Sequence, residues 1–140
     1  MIYTQNNKFI AQSLELSRKL SINSQEKFAH FCFIFNKNKL ISIGFNDTKN
    51  QNSKALYFGN RYNIQKFKKY KMIHAEISAI SKLWGRLEIT GKEKIVVIRI
   101  GKSGLLLNSL PCKDCTTILT ALGFKSVWHS VENDIVESEL

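Results

Sequence analysis

Apolar residues recur along the chain with two different periods, and these periods predict both helices and strands. Residues 5–20 and 72–84 carry apolar side chains at intervals of three or four positions, which is typical of helices that bury one face. Residues 28–35 and 94–100 are apolar runs rich in aromatic or β-branched side chains, as expected of buried strands. Residues 39–45 alternate apolar and polar positions, so they are predicted to pair with residues 28–35 as a hairpin.

Two further segments extend this pattern toward the C-terminus. Residues 112–123 predict a helix, with Pro111 placed ahead of its first turn. Residues 125–130 predict a strand that lies parallel to residues 94–100 through a right-handed crossover. Residues 134–137 leave room for a short edge strand. The alternation of strands and helices predicts the α/β class.

Length and composition limit the class of protein. The 140 residues suffice for one domain with a sizeable core, so we expect residues 1–140 to form a single domain. Apolar residues make up 44% of the chain, yet no run approaches the length that spans a membrane, and no export leader is evident. Three cysteines, two of them in one C-x-x-C motif, do not suggest a disulfide framework. These features predict a cytoplasmic protein without a membrane partner.

The basic charge of the chain is concentrated in its N-terminal half. The formal net charge is +10; residues 1–71 contain 13 basic and three acidic residues, whereas residues 72–140 contain eight of each. This asymmetry suggests an acidic partner, either a nucleotide phosphate or a single-stranded nucleic acid. Residues 47–71 lack periodicity and predict a long connection. Its last part, KFKKYK at residues 66–71, is compatible with a phosphate-binding segment or with the solvated basic face of a short helix.

Two short motifs carry candidate chemistry, and each opens a predicted helix. His74 and Glu76 lie at the start of the helix at residues 72–84, where side chains two positions apart reach one pocket only if the helix end is not fully helical. Cys112 and Cys115 have C-x-x-C spacing, and the positive end of a helix lowers thiol pKa values. One imidazole and two thiolates give Zn²⁺ three protein ligands and leave a fourth position for water, which is typical of a catalytic zinc site.

The order His-x-Glu followed by Pro-Cys-x-x-Cys is similar to the motif of zinc-dependent nucleobase deaminases. On these residues the chain resembles the cytidine/deoxycytidylate deaminase superfamily, which includes tRNA adenosine deaminases and polynucleotide cytosine deaminases. The resemblance spans roughly residues 5–130. It implies that Zn²⁺ held by His74, Cys112 and Cys115 activates a water for attack on C4 of cytosine or C6 of adenine. It also implies that Glu76 transfers the protons of this reaction.

The same resemblance carries expectations about fold, substrate contacts and assembly. It implies a three-layer α/β/α fold whose mixed sheet of four to five strands begins with an antiparallel hairpin and continues with parallel strands. It implies that Asn46, in the segment Gly44-Phe45-Asn46, contacts the sugar of a bound nucleotide or nucleoside, and that Ala75 and Pro111 lie against the substrate. An ordinary turn role for Asn46 is the alternative. Members of the family often assemble, so a homo-oligomer is expected.

Three local sequence differences indicate which branch of the family the chain most resembles. The small deaminases of free cytidine carry a cysteine where His74 stands, and tRNA adenosine deaminases carry Glu-Pro-Cys where this chain has Leu110 before its Pro-Cys pair. Residues 108–110 also differ from the Ser-Trp-Ser pattern of many polynucleotide deaminases. What remains is most similar to the deoxycytidylate branch, which acts on a cytosine nucleotide such as dCMP. Deamination of cytosine in single-stranded DNA or RNA, or of adenosine in tRNA, stays open as the alternative.

A non-catalytic zinc protein is the third hypothesis. A closed structural site needs a fourth protein ligand, and the remaining candidates are His30, Cys32 and His129. Each of them has a simpler interpretation, because Cys32 and His30 lie within a predicted strand and His129 lies at the end of another. We therefore expect Cys32 and His30 to be structural and His129 to be structural or exposed.

Overall fold

The described part of the chain folds into a mixed β-sheet with helices packed on it. The computed structural model describes residues 7–22, 28–46, 53–70, 74–84, 89–90, 92–101 and 103–140. The helices are α1 (Lys8–Ile22), α2 (Ser53–Tyr62), α3 (Gln65–Tyr70), α4 (Ala75–Leu83) and α5 (Lys113–Ala121). The strands are β1 (Phe28–Asn36), β2 (Lys39–Phe45), β3 (Lys94–Gly101), β4 (Leu106–Leu107), β5 (Ser126–Val131) and β6 (Asp134–Glu139). Among these helices, none is both long and apolar enough to cross a bilayer.

The sheet has the strand order β2-β1-β3-β5-β6, and β4 pairs with β3 beside this path. The predicted antiparallel hairpin is β1–β2, and the predicted parallel pair is β3–β5, joined through α5. β1 also runs antiparallel to β3, so parallel pairing among the described strands is limited to β3 and β5. The described residues form six strands where four to five were expected. The additional strand, β4, is two residues long and therefore too short to leave a periodic pattern in the sequence.

Side chains of β1 alternate between two separate cores, and this alternation defines the three layers. Phe31, Phe33 and Phe35 pack with residues of α1 on one face of the sheet. Cys32 and Ile34 point to the other face, where they pack with residues of α4, α5, α2 and α3. Because successive strand residues point to opposite faces, a nearly continuous apolar run serves both cores. The three-layer α/β/α fold is confirmed.

The segment predicted as a long connection contains two short helices, α2 and α3. Residues 47–52 and 71–73 of that connection lie outside the described residues. Phe58, Ile64 and Phe67 are buried and join the same core as α4. The segment is therefore part of the helical layer, and Arg61 and Lys66 lie on its exposed side. Residues 65–70 form a short helix on which Lys66 is exposed, as one of the two interpretations of residues 66–71 expected, and phosphate binding by this segment stays a prediction.

A tight turn between β5 and β6 holds the loop that leads toward Cys112. Glu132 and Asn133 both have positive φ, at 43° and 67°, as a two-residue hairpin turn of the primed type requires. The Asn133 side chain accepts a hydrogen bond from the Leu106 N–H at 2.9 Å, and the Asn133 N–H donates to the Leu106 carbonyl at 3.1 Å. The turn thereby fixes β4, from which the chain continues to Cys112.

Gly44 sets how closely α4 lies against β2. A Cβ atom at Gly44 would overlap the carbonyl oxygen of Ala75 and the backbone nitrogen of Ala79. Ser42 Oγ donates to the Ala79 carbonyl at 2.7 Å, and the Phe45 N–H donates to Ser78 Oγ at 3.2 Å. The first turn of α4, which carries Glu76, is thus positioned by direct backbone contact with the sheet.

We expect Gly44→Ala to push α4 away from β2 and to destabilise the protein by about 1–3 kcal/mol or more, because the added methyl group meets backbone atoms that cannot move alone. The urea concentration at the unfolding midpoint and the affinity for zinc should both decline. Gly104→Ala is the matched control, since nothing lies within 4 Å of a Cβ there and only its φ of +85° disfavours alanine, at about 1 kcal/mol. Equal unfolding midpoints and zinc affinities for the two variants would contradict the role of Gly44.

Candidate active site

The two sequence motifs occupy equivalent places, at the N-cap positions of α4 and α5. His74 is extended, with φ −82° and ψ 155°, and its carbonyl accepts the Ser78 N–H at 2.9 Å. Cys112 is extended as well, with φ −65° and ψ 168°, and its carbonyl accepts the Thr116 N–H at 2.8 Å. Because N-cap residues stand outside the helix, the side chains of His74 and Glu76 are not held to helical spacing. This geometry explains how both reach one cavity.

Three donor atoms from these two helix ends converge. The Nδ1 atom of His74 lies 3.6 Å from Cys112 Sγ and 3.3 Å from Cys115 Sγ, and all three donor atoms lie within 4.8 Å of one another. With Zn–S and Zn–N bonds of about 2.3 and 2.0 Å, a tetrahedral zinc separates sulfur from nitrogen by about 3.5 Å. The donor set and its spacing therefore fit Zn²⁺.

Hydrogen bonds within this cluster shift the pKa values of its three side chains. The pKa of Cys112 is lowered to about 3, first by the hydrogen bond with the Cys115 thiol and further by the His74 imidazole. The Cys115 N–H also donates to Cys112 Sγ at 3.5 Å, as an N-cap side chain requires. The pKa of His74 is raised, first by its hydrogen bond to Cys112, and the pKa of Cys115 is raised by the same thiol pair and by burial. A bound Zn²⁺ takes the place of these shared protons.

Glu76 is buried beside the cluster but does not belong to it. Its side chain is 3% exposed, and its carboxylate is not among the mutually close donor atoms of His74, Cys112 and Cys115. Burial raises the pKa of Glu76 above its usual value, while Cys115 and His74 partly oppose this shift. A carboxyl group that exchanges protons closer to neutral pH is suited to general acid–base chemistry.

A cavity of about 240 Å³ opens onto the metal cluster. Its walls are formed by eight residues, namely His30, Asn46, His74, Ala75, Glu76, Leu110, Pro111 and Cys112. The structure thus brings Asn46, Ala75 and Pro111, which sequence analysis suggested for substrate contact, to the same cavity as the metal cluster. Leu110 is 53% exposed and forms an apolar edge of the opening.

The other histidine and cysteine candidates lie outside the metal cluster in the described part of the structure. Cys32 is fully buried in β1, and burial raises the pKa of its thiol. His129 is buried in β5, where Nε2 lies 2.7 Å from Ser138 Oγ. His30 lines the cavity without joining the cluster. Among the residues described, no fourth protein ligand closes the site.

His30 is a cavity residue that sequence analysis treated as structural. Its main chain is tied to Asn46, because the His30 N–H donates to Asn46 Oδ1 at 3.1 Å and the Asn46 N–H donates to the His30 carbonyl at 3.3 Å. Strand alternation could have placed His30 on the same face as Cys32. It could not show that this face carries the metal site, because that depends on where α4 and α5 pack.

Ser109 is a second residue that the sequence did not identify. It is 2% exposed, and its Oγ donates to the Val97 carbonyl at 2.6 Å and accepts the Ser130 N–H at 2.8 Å. The Ser109 N–H donates to the Ser130 carbonyl at 2.9 Å. These bonds join β3 and β5 to the loop just before Pro111. They therefore fix the position of Cys112, the N-cap residue of α5.

A side chain of α3 packs against one residue of the metal cluster. The ring of Phe67 packs edge-on against the ring of His74, with centroids 5.2 Å apart. The charge of Lys66, the preceding residue, acts on His74 and tends to lower its pKa, which is a minor contribution beside those of Cys112. Lys66 therefore lies within electrostatic reach of the site.

The fold and this site together define a zinc-dependent deaminase of the α/β/α type. Residues 3–131 match the family described as the cytidine and deoxycytidylate deaminase zinc-binding region. Because the match covers most of the chain, the protein belongs to this family. No curated protein sequence matches the chain at a significant level. Zinc as the cofactor agrees with both the family and the geometry of His74, Cys112 and Cys115.

Ser109→Ala should destabilise the protein by roughly 1–3 kcal/mol, because Val97 and Ser130 would each lose a buried hydrogen-bond partner. Zinc should also dissociate faster, since the loop before Cys112 is no longer fixed. Thermal unfolding and zinc transfer to a chelator measure the two effects. Ser103→Ala, at an exposed turn position, is the control and should change neither. A Ser109 variant with wild-type stability and zinc release would refute this role.

In metal-free protein, Glu76→Gln should increase the free energy of unfolding at pH 8 by roughly 1–3 kcal/mol, because the amide avoids burying a charge. The pKa of Glu76 is raised by folding, so the carboxyl contributes most favourably below its unfolded pKa and this contribution is lost as the pH rises through the folded pKa. The difference between the two proteins should therefore disappear near pH 4. Glu15→Gln, at an exposed position, should have little effect at either pH. A Glu76→Gln variant that is less stable than the wild type at pH 8 would contradict the raised pKa of Glu76.

Proposed function

We propose that the protein is a zinc-dependent hydrolytic deaminase that converts a cytosine nucleotide, of the dCMP type, into the uracil product and ammonia. The observation that carries this proposal is the open His74–Cys112–Cys115 cluster with the buried carboxyl of Glu76 in the same cavity. Membership of the deaminase family supports the reaction type. The dCMP-type substrate is supported by the sequence differences at His74 and Leu110 and by the basic segment near the site.

His74, Cys112 and Cys115 would hold the zinc ion. Bound there, zinc supplies the Lewis acidity that makes water a nucleophile near neutral pH. Glu76 then removes a proton from the attacking water and delivers it to the ring nitrogen beside the amino-bearing carbon. The same carboxyl transfers the second proton of the water to the amino group, which leaves as ammonia. Burial of Glu76 favours both directions of transfer, because it raises the pKa of the carboxyl toward the working pH.

The pocket and its surroundings support a nucleotide substrate. A cavity of about 240 Å³ is small for a ligand site, which favours one base with its sugar over a larger group. Asn46 at its wall would bind the sugar, while Ala75 and Pro111 would contact the substrate beside the metal. Lys66 is exposed and its charge reaches His74, so it is suitably placed to attract a phosphate.

A nucleic-acid deaminase is the second candidate, acting on cytosine in a single strand or on adenosine in tRNA. It is favoured by an aromatic and cationic cluster on α2 and the end of α4. The Arg61 guanidinium lies 5.2 Å from the ring centroid of Trp84, and Tyr57 beside it is 44% exposed. Such a surface is suited to stacked bases and phosphates. A non-catalytic zinc-binding deaminase-like protein is the third candidate; its closed-site form is disfavoured because no described residue completes the metal cluster.

Location and assembly are part of the same proposal. Two cysteine ligands need a compartment that keeps thiols reduced, which favours the cytoplasm. We further propose one domain over residues 1–140 and a homo-oligomer, as is frequent among proteins that this chain resembles.

Ammonia release by zinc-loaded protein tests the function. dCMP, CMP, deoxycytidine and a cytosine-containing single-stranded oligonucleotide should be offered in parallel, and we expect dCMP to react fastest. Glu76→Gln should lower kcat by about 10²–10⁴-fold with its zinc content unchanged, because only the proton carrier is lost.

Each substrate distinguishes one candidate. Turnover of the oligonucleotide alone, with binding that weakens steeply as salt is added, would favour the nucleic-acid deaminase. If no cytosine substrate reacts, tRNA adenosine is tested next, and a lack of any reaction would support the non-catalytic protein. Normal activity in zinc-loaded Glu76→Gln would exclude the role of Glu76.

A further inference from the structure

The imidazole of His30 has a position that its structural role does not explain. His30 lies on β1 at the wall of the cavity, and its backbone is hydrogen-bonded in both directions to Asn46. The next residues of β1 on the same face, Cys32 and Ile34, are fully buried and apolar. His30 is therefore the point on this face of β1 at which the apolar core gives way to the cavity.

One nitrogen of this imidazole has no partner in the described protein. His30 Nε2 is buried and makes no hydrogen bond with a described residue. A buried polar atom without a partner costs free energy, so such atoms are normally paired with protein, water or ligand. Because His30 lines the cavity that leads to the metal cluster, the molecule that fills this cavity is the natural partner.

The chemistry of the ring defines what it can bind. His30 is not a member of the metal cluster. Burial lowers the pKa of His30 to about 4, and the charge of Arg99, its cross-strand neighbour on β3, lowers it further in the same direction. A cation at the metal cluster would act in the same sense. The uncharged ring presents one donor and one acceptor, which suits a hydroxyl group better than a phosphate.

We propose that His30 is a specificity-determining residue whose imidazole Nε2 hydrogen-bonds a hydroxyl group of the nucleotide sugar, beside the side chain of Asn46. The inference rests on the proposed function, since it assumes a nucleotide in the cavity. Hydrogen bonds between the His30 main chain and Asn46 keep the two residues adjacent at one wall of the cavity, so we expect both to act on the same part of the substrate. The family resemblance implies this contact for Asn46 only.

His30→Phe and His30→Gln test the proposal in zinc-loaded protein. Phenylalanine keeps a ring but removes both nitrogens, whereas glutamine keeps a polar group near the position of Nε2. We expect His30→Phe to raise the Kd of the uracil nucleotide product and the KM of the substrate about 10-fold, with kcat and zinc content changed less than about threefold. His30→Gln should recover most of the lost affinity. Isothermal calorimetry with the product measures binding without requiring turnover.

Thermal unfolding separates this contact from a structural role. Since Nε2 has no partner in the described protein, His30→Phe should unfold at the wild-type temperature or above it in the absence of nucleotide. The matched control is His129→Phe, which removes another buried imidazole but lies outside the cavity and should leave product affinity unchanged. Wild-type affinity and KM in His30→Phe would overturn the proposal, as would a loss of stability without a loss of affinity.

The experiments give different results if the proposed function is wrong and if only the His30 contact is wrong. If wild-type protein neither binds nor converts any mononucleotide, the nucleotide-deaminase proposal and the His30 contact both fail. If it binds and converts dCMP while His30→Phe behaves as wild type, only the His30 contact fails. If an oligonucleotide is the substrate, the same variants are compared on it, and an unchanged KM in His30→Phe again overturns the contact.

Discussion

The structure depends on one geometric requirement, which is that the N-termini of two helices from separate parts of the chain meet at coordination distance. His74 and Cys112 are 38 residues apart, yet the His74 Nδ1 atom lies 3.6 Å from Cys112 Sγ and 3.3 Å from Cys115 Sγ. An error of one ångström would spoil a tetrahedral site. Gly44, through the backbone of α4, and Ser109, through β3 and β5, each hold one of the two helix ends. Phe67 adds a packed ring against His74.

Burial shifts the pKa values of Glu76 and His30, which lie beside these helix ends, in opposite directions. It keeps a proton on Glu76 to higher pH and removes one from His30 at lower pH, so both side chains are driven toward their neutral forms. Cys112 is the exception, because hydrogen bonds at the start of α5 and the neighbouring imidazole stabilise its thiolate. The site therefore places negative charge on the Cys112 sulfur, while burial disfavours charge on Glu76 and His30. That distribution suits a cation at the cluster and a neutral base next to it.

Local patterns predicted most of the elements and the metal ligands, because those signals lie within a few residues of one another. His74, Glu76 and the Cys112–Cys115 pair each form part of a short motif, and the strands around Phe33 and Val97 follow simple periodicity. His30 and Ser109 were missed for the opposite reason: their importance arises from partners 12 to 21 residues away along the chain. Helix α2 was not predicted, and α3 was only one of two interpretations of its segment, since the buried positions of both helices become apparent only against α4.

The unequal exposure of the two cysteines bears on how the protein would lose its metal. Cys112 is exposed and strongly acidic, whereas Cys115 is buried behind it. Once zinc departs, an oxidant in solution meets the Cys112 thiolate first and converts it to a sulfenic acid. The Cys115 thiol, close by in the same C-x-x-C turn, would then displace water from that sulfur and close a disulfide. Oxidation would thus exclude the metal until a reductant reopened the pair, and zinc occupancy would then depend on the redox state of the surroundings through a single turn of helix.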